Sequence, residues 1–469
     1  MARSYNAMKL RDLAFSEVTS ERLTFGSGNK TAKELFREAE FDNILKCVHC
    51  GLCLDSCPTY RELGDEKDSP RGRLYLMRGL WEGELDLTPG VTAPLSRCLD
   101  CRACETACPS GVPYGELLEK ARGVIHDTQP QSLKERLLRT LLLKGLFQST
   151  FLLTLASKLL KLYAASGLPQ LITNTAFGKL LPSQFVFQQH LLPDCSGQSF
   201  KQKYAEQELG ATHGAASLGR VGLFSGCIMD VSEAAIHEAT LKLLRGIGYT
   251  VVVPGKQGCC GALHVHSGDR KTARGLALNN LDAFEESEFE AIITNAAGCS
   301  AQLREFHHLF PQNHSGHSRN WNAIEGRIVD ILEFLSRHLK PIQRLNWRTD
   351  ENVVLYDAPC HLMHAQQVDD HPRALVNSLP GVTLVPLTES NWCCGSAGIY
   401  NLVHPDLSSA VLERKMASVR ETLQANPQAT TLVTGNPGCL YQIRAGIRAA
   451  GLPLRVIHPA LYLAERLRG

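Results

Sequence analysis

Two short stretches of this chain carry four cysteines each at identical spacing, and that repetition limits what the chain can fold around. The first is Cys47-Val48-His49-Cys50-Gly51-Leu52-Cys53-Leu54-Asp55-Ser56-Cys57-Pro58, and the second is Cys98-Leu99-Asp100-Cys101-Arg102-Ala103-Cys104-Glu105-Thr106-Ala107-Cys108-Pro109. Both read C-x2-C-x2-C-x3-C-P, the spacing of paired 4Fe–4S clusters. Two residues between thiolates let a tight loop wrap one cubane and reach three of its irons. The fourth Cys leaves on a helix-like turn that points away, so it serves the other cluster, and Pro ends the turn. The expected sets are therefore Cys47, Cys50, Cys53 and Cys108 for one cluster, and Cys98, Cys101, Cys104 and Cys57 for the other. A structural zinc site separates its Cys pairs by a long loop, and inert buried thiols would not fall twice into one motif. With four thiolates supplied, His49 is read as a supporting or surface residue.

The rest of the composition narrows the setting. The chain has 469 residues, enough for two to four domains. A net charge of +2 does not suggest a nucleic-acid partner, which would favour a strongly basic chain. Seventeen cysteines in so long a chain do not resemble a small secreted disulfide framework. The opening Met1-Ala2-Arg3-Ser4-Tyr5 leads into a charged stretch, so no secretory signal is expected, and a reducing cytoplasm suits free metal-binding thiols. No run offers the ~18–20 apolar residues of a spanning helix.

Patterning divides the chain into four segments: 1–125, 126–217, 218–345 and 346–469. The first holds both cysteine runs among helices, expected over Thr31–Leu45 and Arg71–Trp81. The second is a helical connector. Its Leu133–Tyr163 stretch is rich in Leu and Phe with Lys134, Arg136, Arg139, Lys144, Lys158 and Lys161 interspersed. That is a basic amphipathic helix, suited to packing on its own domain or a partner subunit, or to peripheral contact with a membrane. From 218 onward short β-branched strands alternate with helices: 220–224, 249–253 and 291–294, then 353–356, 382–385 and 431–434, with a helix over Glu233–Gly246. This predicts parallel α/β units, divided near Pro341. The polar, His-rich 307–320 stretch reads as a surface loop.

Cysteines fix the register of these two units. Cys227, Cys259, Cys260 and Cys299 in the first match Cys360, Cys393, Cys394 and Cys439 in the second. Each pair opens a Cys-Cys-Gly, which signals duplication. The expected fold class is an α+β multidomain chain, with an α-helical ferredoxin-like two-cluster domain followed by two repeated parallel-sheet units. Four matched cysteines per repeat would serve a further redox centre, either an additional iron–sulfur cluster or a dithiol; the alternative is a metal-free fold with buried thiols. His264, His266, His361 and His364 flank these cysteines as groups that tune such a centre or as plain polar surface. Arg71 and Arg73 are placed to offset cluster charge or to meet a partner. Cys195 alone is left over.

Cys47–Tyr60 with Leu63-Gly64-Asp65-Glu66 and Ser69-Pro70-Arg71-Gly72-Arg73, and Cys98–Val112, resemble the iron–sulfur subunit family of bacterial glycolate oxidase. Gly258-Cys259-Cys260-Gly261-Ala262, Trp392-Cys393-Cys394-Gly395-Ser396-Ala397-Gly398 and His404-Pro405-Asp406-Leu407 resemble that family's duplicated CCG domain. The resemblance runs from about residue 35 to the end, with departures at the N-terminus, around 165–215 and near 307–320. It implies FAD-binding partner subunits that oxidise glycolate to glyoxylate, and D-lactate to pyruvate, with electrons passing through this chain toward quinone. The absent secretory signal, the free thiols and the basic amphipathic stretch, for their part, lead us to expect a cytoplasmic protein that can sit peripherally on the inner face of the membrane. No G-x-G-x-x-G follows a strand, so FAD is expected only in the partners, and no catalytic residue is assigned here. Competing readings are the iron–sulfur subunit of a glycerol 3-phosphate or lactate dehydrogenase, a thiol–disulfide reductase working at the Cys-Cys-Gly pairs, and a scaffold or redox sensor.

Overall fold

The computed structural model describes residues 42–130, 137, 140–174, 181, 183–193, 195, 198–212, 217–285, 288–310 and 321–468. Both cysteine runs sit on a small helical domain. Its central helix, Pro70–Glu82, begins where Ser69 accepts a hydrogen bond from Gly72 N at 3.0 Å, with Pro70 in the first turn, and ends at Gly83 in the left-handed conformation. Leu74, Met77 and Leu80, spaced along one face, pack on Val91 and Leu95 of helix Pro89–Ser96 and on Leu117, Leu118 and Ala121 of helix Tyr114–Thr128. The helix expected over Thr31–Leu45 lies mostly outside the described residues, and Asp42–Lys46 is a short 3-10 turn.

The basic Leu-rich stretch is not one continuous helix. A wide helical turn over Thr140–Leu146 meets the helix Thr150–Ala165 at 114°. Ser149 makes the break, because its side chain accepts from Leu152 N at 3.2 Å and starts a new helix. That helix is turned inside out relative to a core helix. Leu153, Thr154 and Ser157 face the protein, while Phe151, Leu155, Leu159 and Leu162 face outward. Among the described residues no single helix is long and apolar enough to cross a membrane, although the bent pair together has the length and composition.

The two α/β units repeat one sheet topology. Strands are β1 Glu208–Leu209, β2 Gly219–Phe224, β3 Tyr249–Val252, β4 Ala291–Thr294, β5 Ile328–Asp330, β6 Asn352–Tyr356, β7 Val382–Pro386, β8 Thr431–Val433 and β9 Arg455–Ile457. The first sheet runs β1-β3-β2-β4-β5, with β1 antiparallel at the edge; the second runs β7-β6-β8-β9, wholly parallel. Without β1 the orders coincide, and so do the registers. Val221 pairs with Val251 and Ala291, as Val354 does with Leu384 and Thr431. Strands β5 and β9, at three residues each, escape a reading from periodicity.

Both units share one core. Val221, Leu223, Val251 and Ile293 belong to the same apolar cluster as Val354, Leu355, Leu432 and Val456. In each sheet the order reverses between the first strand and its two neighbours, which opens a crevice at the carboxyl edge where such sheets bind ligands. The His-rich stretch starts as a 3-10 turn at Phe306–Leu309, with His307 paired to Glu325 at 3.0 Å, and 311–320 lie outside the described residues.

Candidate metal centres

The first run wraps a cavity lined by Cys47, Cys50, Cys53 and, from the second run, Cys108. A neighbouring cavity is lined by Cys98, Cys101 and Cys104 with Cys57 from the first run. These are the two crossed sets expected from the spacing; Cys104 also borders the first cavity. Matching backbone kinks make the wrap possible. His49 and Gly51 in one run, and Asp100 and Arg102 in the other, all have positive φ.

Burial raises the thiols of Cys98, Cys101 and Cys104, and pushes Cys53 up to about 11. Thiolates so desolvated require a strong positive partner, which bound iron would supply. The protein adds charge of its own. Arg73 is fully buried, with Nη1 3.9 Å from Cys57 Sγ and Nη2 donating to Thr59 Oγ1 at 2.9 Å and Asp68 Oδ1 at 3.1 Å. Tyr114 Oη donates to Cys98 Sγ at 3.5 Å. Arg71 instead reaches Glu66 at 2.6 Å and the His49 carbonyl at 3.3 Å on the exposed side.

In each α/β unit the four cysteines converge at the carboxyl edge of the sheet. Cys260 and Cys299 sulfurs are 3.2 Å apart, and Cys394 and Cys439 sulfurs 3.4 Å. Hydrogen bonds from Cys227 and Cys260 pull the Cys259 thiol well below its usual range, and Cys360 and Cys394 do the same for Cys393. Backbone amides of Gly261 and Gly395 also donate to these two sulfurs, each at 3.4 Å. Gly395 is required twice over. Its φ is 85°, and a Cβ would lie 2.6 Å from the Ser408 carbonyl oxygen. The last-cysteine loops of the two units touch, with Ala297 N donating to Gly435 O at 3.3 Å and Gly298 N to Asn436 Oδ1 at 3.1 Å.

The cysteine-run domain docks on the second unit through its cysteines. Leu99, Cys101 and Ala103 form one apolar cluster with Cys360, Trp392, Cys393 and Tyr400. The flanking histidines add polar contacts around the cysteine-run domain and the connector, from the second unit and from the first. His364 accepts at Nδ1 from Thr106 Oγ1 at 2.9 Å while Nε2 donates to Asn391 O at 3.2 Å; His266 Nδ1 lies 3.1 Å from Asp100 Oδ2. The His361 ring lies tilted 5.5 Å from that of His266, beside Cys360, and His264 donates from Nε2 to Leu143 O at 3.0 Å. None of the four is plain surface. Cys195, half-buried in the connector, is remote in sequence from every cysteine set.

Some site residues escape the sequence reading. Tyr114, Tyr400 (whose hydroxyl donates to Arg97 O at 2.7 Å) and the buried Lys415–Asp357 pair at 2.8 Å beneath Cys393 carry no local signature. Asp100 had one, its place inside a cysteine run.

Comparison with known proteins agrees with this architecture. A 4Fe-4S dicluster domain model matches residues 43–112, and a cysteine-rich (CCG) domain model matches twice, at 221–304 and 354–444. A model of the glycolate oxidase iron-sulfur subunit linker region matches 134–187, and so includes part of the stretch set apart above as a departure. The probable glycolate oxidase iron-sulfur subunit of Bacillus subtilis is 39% identical over 92% of this chain and 95% of its own length. The glycolate oxidase iron-sulfur subunit of Escherichia coli is 32% identical over 88% and 93%. Lactate utilization protein A of Exiguobacterium sp. is 27% identical over 53% of this chain and 98% of its own. On that identity and coverage, the chain belongs to the glycolate oxidase iron–sulfur subunit family.

Proposed function

We propose that this chain is the electron-conducting subunit of a flavin-dependent glycolate dehydrogenase, carrying two 4Fe–4S clusters and a further redox centre in the CCG repeats. The observation that carries the reading is the meeting of cysteine sets, in which Cys101 of the second cavity shares one apolar cluster with Cys360 and Cys393 of the second repeat. When bound, such clusters supply one-electron carriage. The residues around them do the rest. Cys47, Cys50, Cys53 and Cys108 hold one cluster, and Cys98, Cys101, Cys104 and Cys57 the other. Arg73 compensates negative charge, and Leu99, Trp392 and Tyr400 keep water from the junction. Oxidation of the hydroxy acid belongs to FAD-binding partner subunits, and electrons leave toward quinone.

The outward apolar face of Thr150–Ala165 supports peripheral contact with the cytoplasmic face of a membrane. Residues 136–193 contain no Asp or Glu, so nothing there repels an anionic lipid surface. The thiol contacts of Cys260 with Cys299 and of Cys394 with Cys439 favour a second reading, disulfide reduction at the CCG sets.

Anaerobic co-purification with the flavoprotein subunits tests both. Glycolate should bleach the visible iron–sulfur absorption of this chain only when the partners are present. Bleaching by D-lactate or glycerol 3-phosphate but not glycolate would move the chain to a sister dehydrogenase, and turnover of a disulfide by the isolated chain would favour the second reading.

A further inference from the structure

Asp100, Glu119 and His266 come from three separate elements and meet between the cysteine-run domain and the first α/β unit. Asp100 lies within the second cysteine run, Glu119 on helix Tyr114–Thr128, and His266 at the end of helix Ala262–His266. One potential ligand atom of each lies within 4.8 Å of the others. Asp100 is 2% exposed and Glu119 8%.

Buried carboxylates are costly unless paired, and this pair is under-supplied. Asp100 Oδ2 takes His266 Nδ1 at 3.1 Å, but Asp100 Oδ1 is buried with no partner. Three arginines border the group, and each donates elsewhere. Arg122 serves the carbonyls of Leu95, Ser96 and Cys98; Arg102 serves Glu105 and Glu305; Arg270 serves the His308 carbonyl.

We propose that Asp100, Glu119 and His266 form a site for a divalent first-row transition cation of the Mn2+ to Zn2+ type, which fastens the cysteine-run domain to the first repeat. One imidazole and two carboxylates are a donor set that these ions accept, and the two carboxylate charges balance the ion. Bond lengths of about 2.0–2.2 Å require the three side chains to close in slightly. The orphaned Asp100 oxygen then gains its partner, and a cation would replace what the neighbouring arginines do not give.

The test uses the full chain with its clusters in place, titrated anaerobically with Mn2+ while the electron paramagnetic resonance signal of free Mn2+ is followed. Wild type should take up about one Mn2+ per chain, displaceable by Zn2+. Glu119→Gln and His266→Gln should each weaken uptake at least tenfold. Glu116→Gln, on the same helix but paired to Lys120, should leave it unchanged. Unaltered visible absorption in every variant shows that the clusters and the fold persist. Uptake absent from wild type up to ~1 mM, a range weak for a protein site, or equal in wild type and both site variants, overturns the proposal.

Discussion

Arg73 and Cys57 meet inside the protein with the guanidinium Nη1 3.9 Å from the sulfur and no part of the arginine side chain exposed. The same guanidinium holds Asp68, which Arg97 grips from the other side at 2.6 Å. A positive charge so close to a thiolate ligand favours the more negative, reduced state of whatever that ligand binds. Arg73→Gln should therefore lower the reduction potential of the cluster held by Cys57, measured by a spectroscopic redox titration. Arg73→Lys should hold it nearer the native value. The Gln variant also strands Asp68 beside a single arginine, at a cost of about 3 kcal/mol in unfolding free energy.

The crossed cavities place Cys57 and Cys108 each beside the cysteines of the other run. Cys57→Ser should damage the cluster of Cys98, Cys101 and Cys104 and spare that of Cys47, Cys50 and Cys53. Cys108→Ser should do the reverse. Iron analysis should show a loss of about four irons per chain in each, and magnetic spectroscopy should show different survivors. Loss of the same cluster in both variants would contradict the crossing.

Two buried histidines make stability depend on pH. His237 accepts from Asn295 Nδ2 at 2.9 Å and donates from Nε2 to the Ser225 carbonyl at 3.1 Å, so the neutral ring satisfies both neighbours. Burial lowers His237 to about 4 and His458 to about 3, against 6.5 when exposed. The unfolded chain thus binds more protons than the folded one between pH 6.5 and these values, and stability falls as pH drops through that window. The contribution of His237 is roughly 3 kcal/mol between pH 7 and 4. Denaturant titrations at pH 7 and 5 should show His237→Gln less stable at pH 7 but with a shallower loss toward pH 5.

Membrane contact through Thr150–Ala165 can be measured by sedimentation with vesicles. Wild type should bind vesicles rich in anionic lipid more tightly than neutral ones, and salt should weaken the binding. Leu155→Glu with Leu159→Glu, both at exposed positions, should reduce binding at least tenfold without loss of the flavoprotein subunits on co-purification. Retained vesicle binding with lost partners would assign the face to the flavoprotein.

Replacing Gly395 by Ala places a Cβ 2.6 Å from Ser408 O at a φ of 85°. A loss of about 1–3 kcal/mol is expected. The equivalent change at Gly261, where the nearest atom would be 3.6 Å away, should cost less. Thermal unfolding of the two variants compares them directly.

The amino-acid order alone marks which thiols are candidates to bind iron, because ligand spacing within a run is a local property. Cys47 to Cys53 and Cys98 to Cys104 sit close along the chain, and the expectation that Cys57 and Cys108 cross over follows from the same turn. It also determined the duplication, since matched cysteines and β-branched strands recur in register. The meeting of distant segments depended on the fold as a whole. Nothing local to Cys101 indicates that it joins one apolar cluster with Cys393, and nothing local to Arg73 announces complete burial. The apolar stripe of Phe151, Leu155, Leu159 and Leu162 has the same periodicity whether it faces a core or solvent, so its outward direction is fixed by what Leu153 and Ser157 pack against. Asp100, Glu119 and His266, spread over 166 residues of sequence, become neighbours only because the cysteine-run domain folds back across the first repeat.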